Sequence, residues 1–137
     1  MAKFFNRAKM TTATTGTGTI TLGSAAVGFQ TFATAGVSNG DVVQYVVEDG
    51  ANFEIGTGTY TSSGTTLSRT VQESSNSGNA INLSGSAFVS ITASDDDYNR
   101  LEHQGSTKVT ATATGATVTG TVTATSFTGD GSALTGI

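Results

Sequence analysis

Asp41-Val42-Val43-Gln44-Tyr45-Val46-Val47-Glu48-Asp49-Gly50-Ala51-Asn52-Phe53-Glu54-Ile55-Gly56-Thr57-Gly58-Thr59-Tyr60 is the stretch that decides the fold class. Val42 to Val47 is β-branched or aromatic at every position except Gln44, which suits a pleated strand rather than a helix. Apolar side chains fall on both faces, so the strand is expected to be central and covered on both sides. Glu48-Asp49-Gly50-Ala51-Asn52 turns the chain. It returns in alternating text, with Phe53, Ile55, Thr57 and Thr59 on one face.

The same punctuation repeats on either side. Thr17, Thr19 and Thr21 alternate with Gly18, Ile20 and Leu22, a strand that Gly23-Ser24 ends. Val27 to Phe32 is short and apolar, either a strand or one helical turn. Asn39-Gly40 tolerates positive φ and marks the turn before the central strand. Beyond Tyr60, Thr61-Ser62-Ser63-Gly64 turns the chain into a third strand, Thr65 to Val71, with Leu67 and Val71 as inward candidates. A polar loop, Glu73 to Asn79, precedes a weak strand at Ala80 to Leu83. Ala87 to Thr92 closes the series. Short strands with turns every eight to twelve residues predict an antiparallel sandwich or barrel over residues 13–93.

Ser94-Asp95-Asp96-Asp97 changes the pattern. Carboxylates after a capping serine favour a helix start, where they meet orphan N–H groups and the positive dipole end. A short helical linker is expected over 94–104, ending by Gly105. After it the text is almost pure Thr, Ala, Val and Gly. Val109, Ala111 and Ala113 face one way and Thr110, Thr112 and Thr114 the other. Ala116 to Gly120 and Thr121 to Thr125 repeat the alternation. Ordering costs about 1–2 kcal/mol per residue, and such small side chains bury too little area to offset it within one chain. Neighbouring chains would supply the missing surface. A threefold bundle over 105–137 would put Val109, Ala111, Val118, Val122, Phe127 and Leu134 inside and threonines in water. The fold expected is therefore all-β: a small antiparallel sandwich or barrel, a short helix, then an extended β-shaft that trimerises.

Composition limits the function. The 137 residues hold 18 Gly and no Pro, Cys or Trp, and only 12% are charged. The formal net charge of −4 argues against a phosphate-neutralising role, so no nucleic-acid partner is expected. Without cysteine there is no disulfide framework and no thiolate metal site. Neither a signal-peptide pattern nor an apolar run of membrane-spanning length is present, so synthesis in a cytoplasm and no membrane insertion are expected. Residues 1–12 read as a docking arm. Lys3 and Arg7, together with Lys9, form its basic cluster, and Phe4 and Phe5 either anchor it to a neighbour or pack on their own domain.

Catalytic chemistry has little to stand on. A Ser-His-Asp triad would have to use the single histidine, His103, near Asp95 to Asp97, and no nucleophile elbow or oxyanion motif accompanies it. A polar residue at a helix end is the simpler reading. Adjacent aspartates 95 to 97 cannot all converge on one Ca²⁺. Asp130 in Gly129-Asp130-Gly131-Ser132 reads as a turn whose carboxylate bonds its own backbone. The Gly-Thr repeats lack the lysine of a phosphate loop. Glu48 and Asp49 are adjacent in a strand and so point to opposite faces. Glu54 and Glu73 are the remaining candidates for a glycosidase pair, if separate strands bring them to one cleft. No catalytic residue, cofactor or metal is expected.

Thr125-Ser126-Phe127-Thr128-Gly129-Asp130-Gly131-Ser132-Ala133-Leu134-Thr135-Gly136-Ile137 resembles shaft repeats of bacteriophage tail fibres, especially those of phages infecting cyanobacteria and other marine bacteria. The upstream text resembles N-terminal domains of phage virion structural proteins. It matches at Thr14 to Thr19, Gly28 to Phe32, Val47 to Gly50, Gly56 to Tyr60, Leu67 to Arg69 and Glu73 to Gly78. Together these cover nearly the whole chain. The resemblance implies a homotrimeric fibre of the virion tail, made in the host cytoplasm, whose N-terminal domain attaches to tail or baseplate proteins. Host receptors would be met only by a distal region absent here, and a chain ending on a shaft unit is expected to continue. A capsid decoration or cement protein is the alternative, and a glycan-degrading spike a third class.

Overall fold

The computed structural model describes residues 2–103 and 106–136. In chain order its strands are β1 (Lys9–Thr12), β2 (Thr15–Gly16), β3 (Ile20–Thr21), β4 (Val42–Asp49), β5 (Asn52–Thr61), β6 (Thr66–Leu67), β7 (Thr70–Ser74), β8 (Leu83–Ser84), β9 (Ala87–Ile91), β10 (Arg100–His103), β11 (Ser106–Thr112) and β12 (Gly115–Val118). One short helix, α1 (Phe32–Ala35), precedes β4.

Seven of these strands form one antiparallel sheet that curls into a half-barrel, so the chain is all-β. The β4–β5 hairpin is its centre, paired from Val42↔Thr59 to Asp49↔Asn52. β9 lies along the other side of β4, with β1 outside it. β5 meets β7 along its first part and β6 at its end, and β6 in turn meets β3. β2 and β8 form a separate small ladder.

The concave face holds the core. Val43, Tyr45 and Val47 from β4 meet Val89 from β9, Met10 from β1, Leu67 from β6 and Phe32 from α1, all buried. Thr31 caps α1 by accepting from the Thr34 N–H, and Gly36 ends it in the left-handed conformation. Val27 to Phe32 thus resolves into an exposed Val27 followed by the start of this helix.

The hairpin differs from its hydropathy in one respect. Phe53, Ile55, Thr57 and Thr59 do share a face of β5, but it is the outer one. The core face carries Glu54, Gly56, Gly58 and Tyr60. The glycines are there because neighbouring backbone passes too close for a side chain. A Cβ on Gly56 would lie 2.3 Å from the Thr70 carbonyl oxygen, and one on Gly58 2.2 Å from that of Ser68. Coverage of β4 is also uneven. It is central, yet Val42 on its outer face remains 37% exposed.

Residues 2–12 do not stand off as an arm. β1 is a full member of the sheet, and Lys3 forms a parallel bridge with Val43. The expected helix over 94–104 is a single 3₁₀ turn, Asp95–Asn99, followed by strand β10. Asp97 accepts from the N–H and hydroxyl of Ser94, which closes the turn early. The expected end at Gly105 lies outside the described residues. β10, β11 and β12 then form a separate three-stranded meander. The strand expected over Thr121 to Thr125 does not form. It has no partner ladder among the described residues, and isolated strands are unstable in water.

Candidate functional site

Three places carry chemistry: a groove on the outer face of the sheet, a buried ion pair inside the half-barrel, and one face of the meander.

The groove lies where β1, β4 and β9 run side by side. Its volume is about 410 Å³; Val46 and Ser90, paired across β4 and β9, line it on the outer face, while the side chain of Ile91 belongs to the core on the other face. Arg7, Phe29, Lys9 and Glu48 also line it, and Lys9 Nζ lies 5.7 Å from the centre of the Phe29 ring. The Arg7 guanidinium lies 4.1 Å over the Phe29 ring and donates from Nη2 to the Gly28 carbonyl at 2.6 Å. Lys9 forms an ion pair with Glu48 and sits 5.2 Å from the Phe88 ring. Arg7 has φ of 55°, a left-handed conformation that costs a non-glycine residue about 1–3 kcal/mol. The flanking backbone holds it there, since Gln30 N–H donates to the Arg7 carbonyl and Lys9 N–H to that of Gln30.

The four arm residues singled out from sequence therefore divide. Arg7 lines the groove. Lys3 is ion-paired with Asp41, whose carboxyl its ammonium and the Ser38 N–H hold below the usual range. Phe5 packs against its own core, facing Gly36. Phe4 stays 42% exposed. Sequence reading missed Phe29 and Val46, which line the groove with Arg7. The only available signal was that β4 carries valines on both faces.

Inside the half-barrel, Glu54 and Arg69 form an ion pair sealed from water. The Glu54 carboxylate accepts from Tyr45 Oη at 2.6 Å, Ile81 N–H at 2.9 Å, Arg69 Nε at 2.9 Å and Arg69 Nη2. The guanidinium also donates to the carbonyls of Gly16, Gly18 and Ile81. Arg69 thus ties two loops to β5, and its planar fork suits that task better than a lysine would. Burial alone would raise the Glu54 pKa, but the bonds from Arg69, Tyr45 and Ile81 outweigh it and hold the carboxyl below its ordinary range. Burial, reinforced by the bond to Glu54, pushes the Tyr45 phenol up. A carboxylate engaged on all sides is a structural anion rather than a free base.

The structure does not bring Glu54 and Glu73 together. Glu73 stands opposite Ile55 on the outer face, while Glu54 points inward. Glu48 and Asp49 part in the same way, Glu48 outward and Asp49 inward onto the N–H and hydroxyl of Ser84. Among the described residues no three His, Cys, Asp or Glu side chains are grouped to hold a metal ion. The side chains of His103 and Asp96 lie outside the described residues.

In the meander, Leu101 stands opposite Val109 and Val109 opposite Val118, with Ala111 opposite Ala116 in the next row but one. Alternation puts all five on one face. Leu101 is 69% exposed and Val118 41%. Of the residues expected inside a shaft, Val109, Ala111 and Val118 are therefore gathered on a single surface. Val122 lies beyond β12 and joins no ladder. Phe127 and Leu134 flank a shallow pocket at the Asp130 turn. There Asp130 accepts from the Ser132 N–H at 2.9 Å and hydroxyl at 2.8 Å. These bonds hold its carboxyl below the usual range.

A scan against protein-family models and searches of curated proteins and of solved structures each found no match. The functional reading rests on these three places and on the sequence.

Proposed function

We propose that this chain is a non-enzymatic structural component of a phage virion, the anchoring end of a tail fibre. The globular domain docks on tail or baseplate proteins, and the meander with the segment after it begins a homotrimeric shaft. That shaft projects host-recognition tips, and several weak tips acting together bind with avidity. The observation that carries the reading is the exposed apolar face of Leu101, Val109, Ala111, Ala116 and Val118. A three-stranded sheet needs cover on such a face to be stable. Two further copies would provide it, with valine and alanine inside and threonine in water. The shaft-like text from Thr125 to Ile137 agrees with this placement.

Immunogold labelling of particles that carry the chain tests the proposal. Label confined to the tail is expected. Label spread over the capsid lattice would replace the fibre with a cement protein, and unlabelled particles would overturn both.

A further inference from the structure

Asn39-Gly40 is the single Asn-Gly pair of the sequence, and both residues are exposed. They form the centre of a turn from Ser38 to Asp41, closed by the Asp41 N–H donating to the Ser38 carbonyl at 3.0 Å. Gly40 has φ of 85° while φ at Asn39 is not positive, which makes the turn type II. Three hydrogen bonds tie the pair to the far side of the hairpin. The Gly40 N–H donates to the Tyr60 carbonyl at 2.8 Å. The Asn39 Oδ1 accepts from the Ser62 N–H at 3.0 Å and from the Ser62 hydroxyl at 3.2 Å. The groups so engaged are the two partners of one reaction. The Gly40 nitrogen is a nucleophile next in the chain to the Asn39 amide, and glycine puts no side chain in its way.

We propose that Asn39 is a self-modification site, which forms a succinimide with Gly40 when this turn opens and is silent while it is closed. The Gly40 nitrogen gives its proton to solvent hydroxide and bonds to Asn39 Cγ. The Cγ–Nδ2 bond breaks, and Nδ2 leaves with a solvent proton as ammonia. Water then opens the ring at Cγ to give isoaspartate's isomer, ordinary aspartate, or at the main-chain carbonyl carbon to give isoaspartate. Two features of the closed turn oppose the first step. Ring closure needs the Gly40 nitrogen to eclipse Asn39 Cβ, and a type II ψ of about +120° turns that nitrogen away. The bonds to Tyr60 and Ser62 also commit both reacting groups elsewhere. Isoaspartate lengthens the main chain and adds a carboxylate near that of Asp41, which already accepts from Lys3 and the Ser38 N–H. The longer turn no longer fits the Ser38 and Tyr60 bonds together. The change is therefore a one-way mark of opening at the start of β4, and it holds whether or not the chain belongs to a virion.

The test holds the folded full chain, the same chain in urea and a blocked peptide, Val-Ser-Asn-Gly-Asp, at mildly alkaline pH. Peptide mapping with isoaspartate detection locates the product and follows its rate. The unfolded chain and the peptide should react alike. The folded chain should be slower by about a hundredfold, because the Tyr60 bond and both Ser62 bonds must open together. That slowing should match the protection of the Gly40 amide against hydrogen exchange in the same buffer, since one opening releases both. Ser62→Ala removes the hydroxyl donor and should raise the folded rate about fivefold, with the urea midpoint showing that the fold is kept. The proposal is overturned if the folded chain reacts as fast as the peptide or if no product forms at Asn39 in the unfolded chain. It is equally overturned if Ser62→Ala leaves the folded rate unchanged, or if the slowing and the Gly40 protection differ by more than about tenfold.

Discussion

The globular domain and the terminal meander are written in much the same alphabet of Thr, Val, Ala and Gly, and both form antiparallel strands. In the domain, Val43, Tyr45 and Val47 on the concave face are fully enclosed by strands, loops and α1. In the meander, Val109 and Val118 sit side by side in register and still face outward. The difference does not lie in strand propensity. The domain adds large side chains such as Phe32, Tyr45 and Tyr60, and a buried ion pair that pulls its loops inward. Among its described residues the meander has neither, and its paired strands leave Leu101 and Val118 exposed. Local sequence makes strands in both regions, and only long-range partners make a core.

The strongest way to break this comparison is to remove the domain's internal tie. Arg69→Ala leaves Glu54 charged and buried without its partner, which should cost about 3–5 kcal/mol. Calorimetry of the globular domain within the full chain should show its melting temperature falling by more than about 10 °C. An unchanged melt would mean that the loops close without the guanidinium. Next in size is Gly58→Ala, whose new methyl would meet the Ser68 carbonyl backbone. Overpacking of this kind should cost about 1–3 kcal/mol in urea denaturation.

These two residues also mark the limit of what sequence could reveal. The strands were legible because β-branched runs and Gly/Asn turns are local signals. The β4–β5 hairpin, Ala87–Ile91 and the last two meander strands, β11 and β12, are all readable in that way, whereas β10 falls where a helix is expected. The facing of β5 was not. Hydropathy draws attention to Phe53 and Ile55, yet the core takes Glu54, because Arg69 arrives from fifteen residues further on to neutralise it. No local pattern encodes that meeting. β1 was hidden for a similar reason, since Lys9–Thr12 is a strand by virtue of pairing with Ala87–Ile91, far along the chain. At the candidate site, Arg7 was visible as a charge on an early segment. Its stacking on Phe29 was not, because that contact is set by the backbone around Gln30.

A smaller effect sharpens the comparison through pH. Glu54 ionises more readily in the fold than in the unfolded chain, so it contributes stability above the ordinary carboxylate range. That contribution is lost as pH falls through its folded value. Tyr45 is shifted the other way, so its contribution is present below the ordinary phenol range near pH 10 and fades above it. The unfolding midpoint of the domain in urea should thus be flat near neutrality and decline at both extremes. In Glu54→Gln the acid limb should be shallower, at lower stability throughout.

The smallest effect on the domain is expected from the meander. Val109→Asp changes a partly exposed side chain outside the half-barrel, and the melt of the domain should move by less than about 0.5 kcal/mol. The same substitution places a charge on the apolar face and should abolish self-association. A variant that destabilises the domain while leaving the assembly intact would reverse the roles assigned to the two regions.

The central claim, that the domain is self-sufficient while the meander needs further copies, is tested most directly by sedimentation equilibrium of the full chain. A single species of three times the 13.7 kDa chain mass is expected, reverting to one chain mass in Val109→Asp. A wild-type chain that remains at 13.7 kDa up to about 100 μM, roughly −5.5 kcal/mol on the affinity scale, would contradict it.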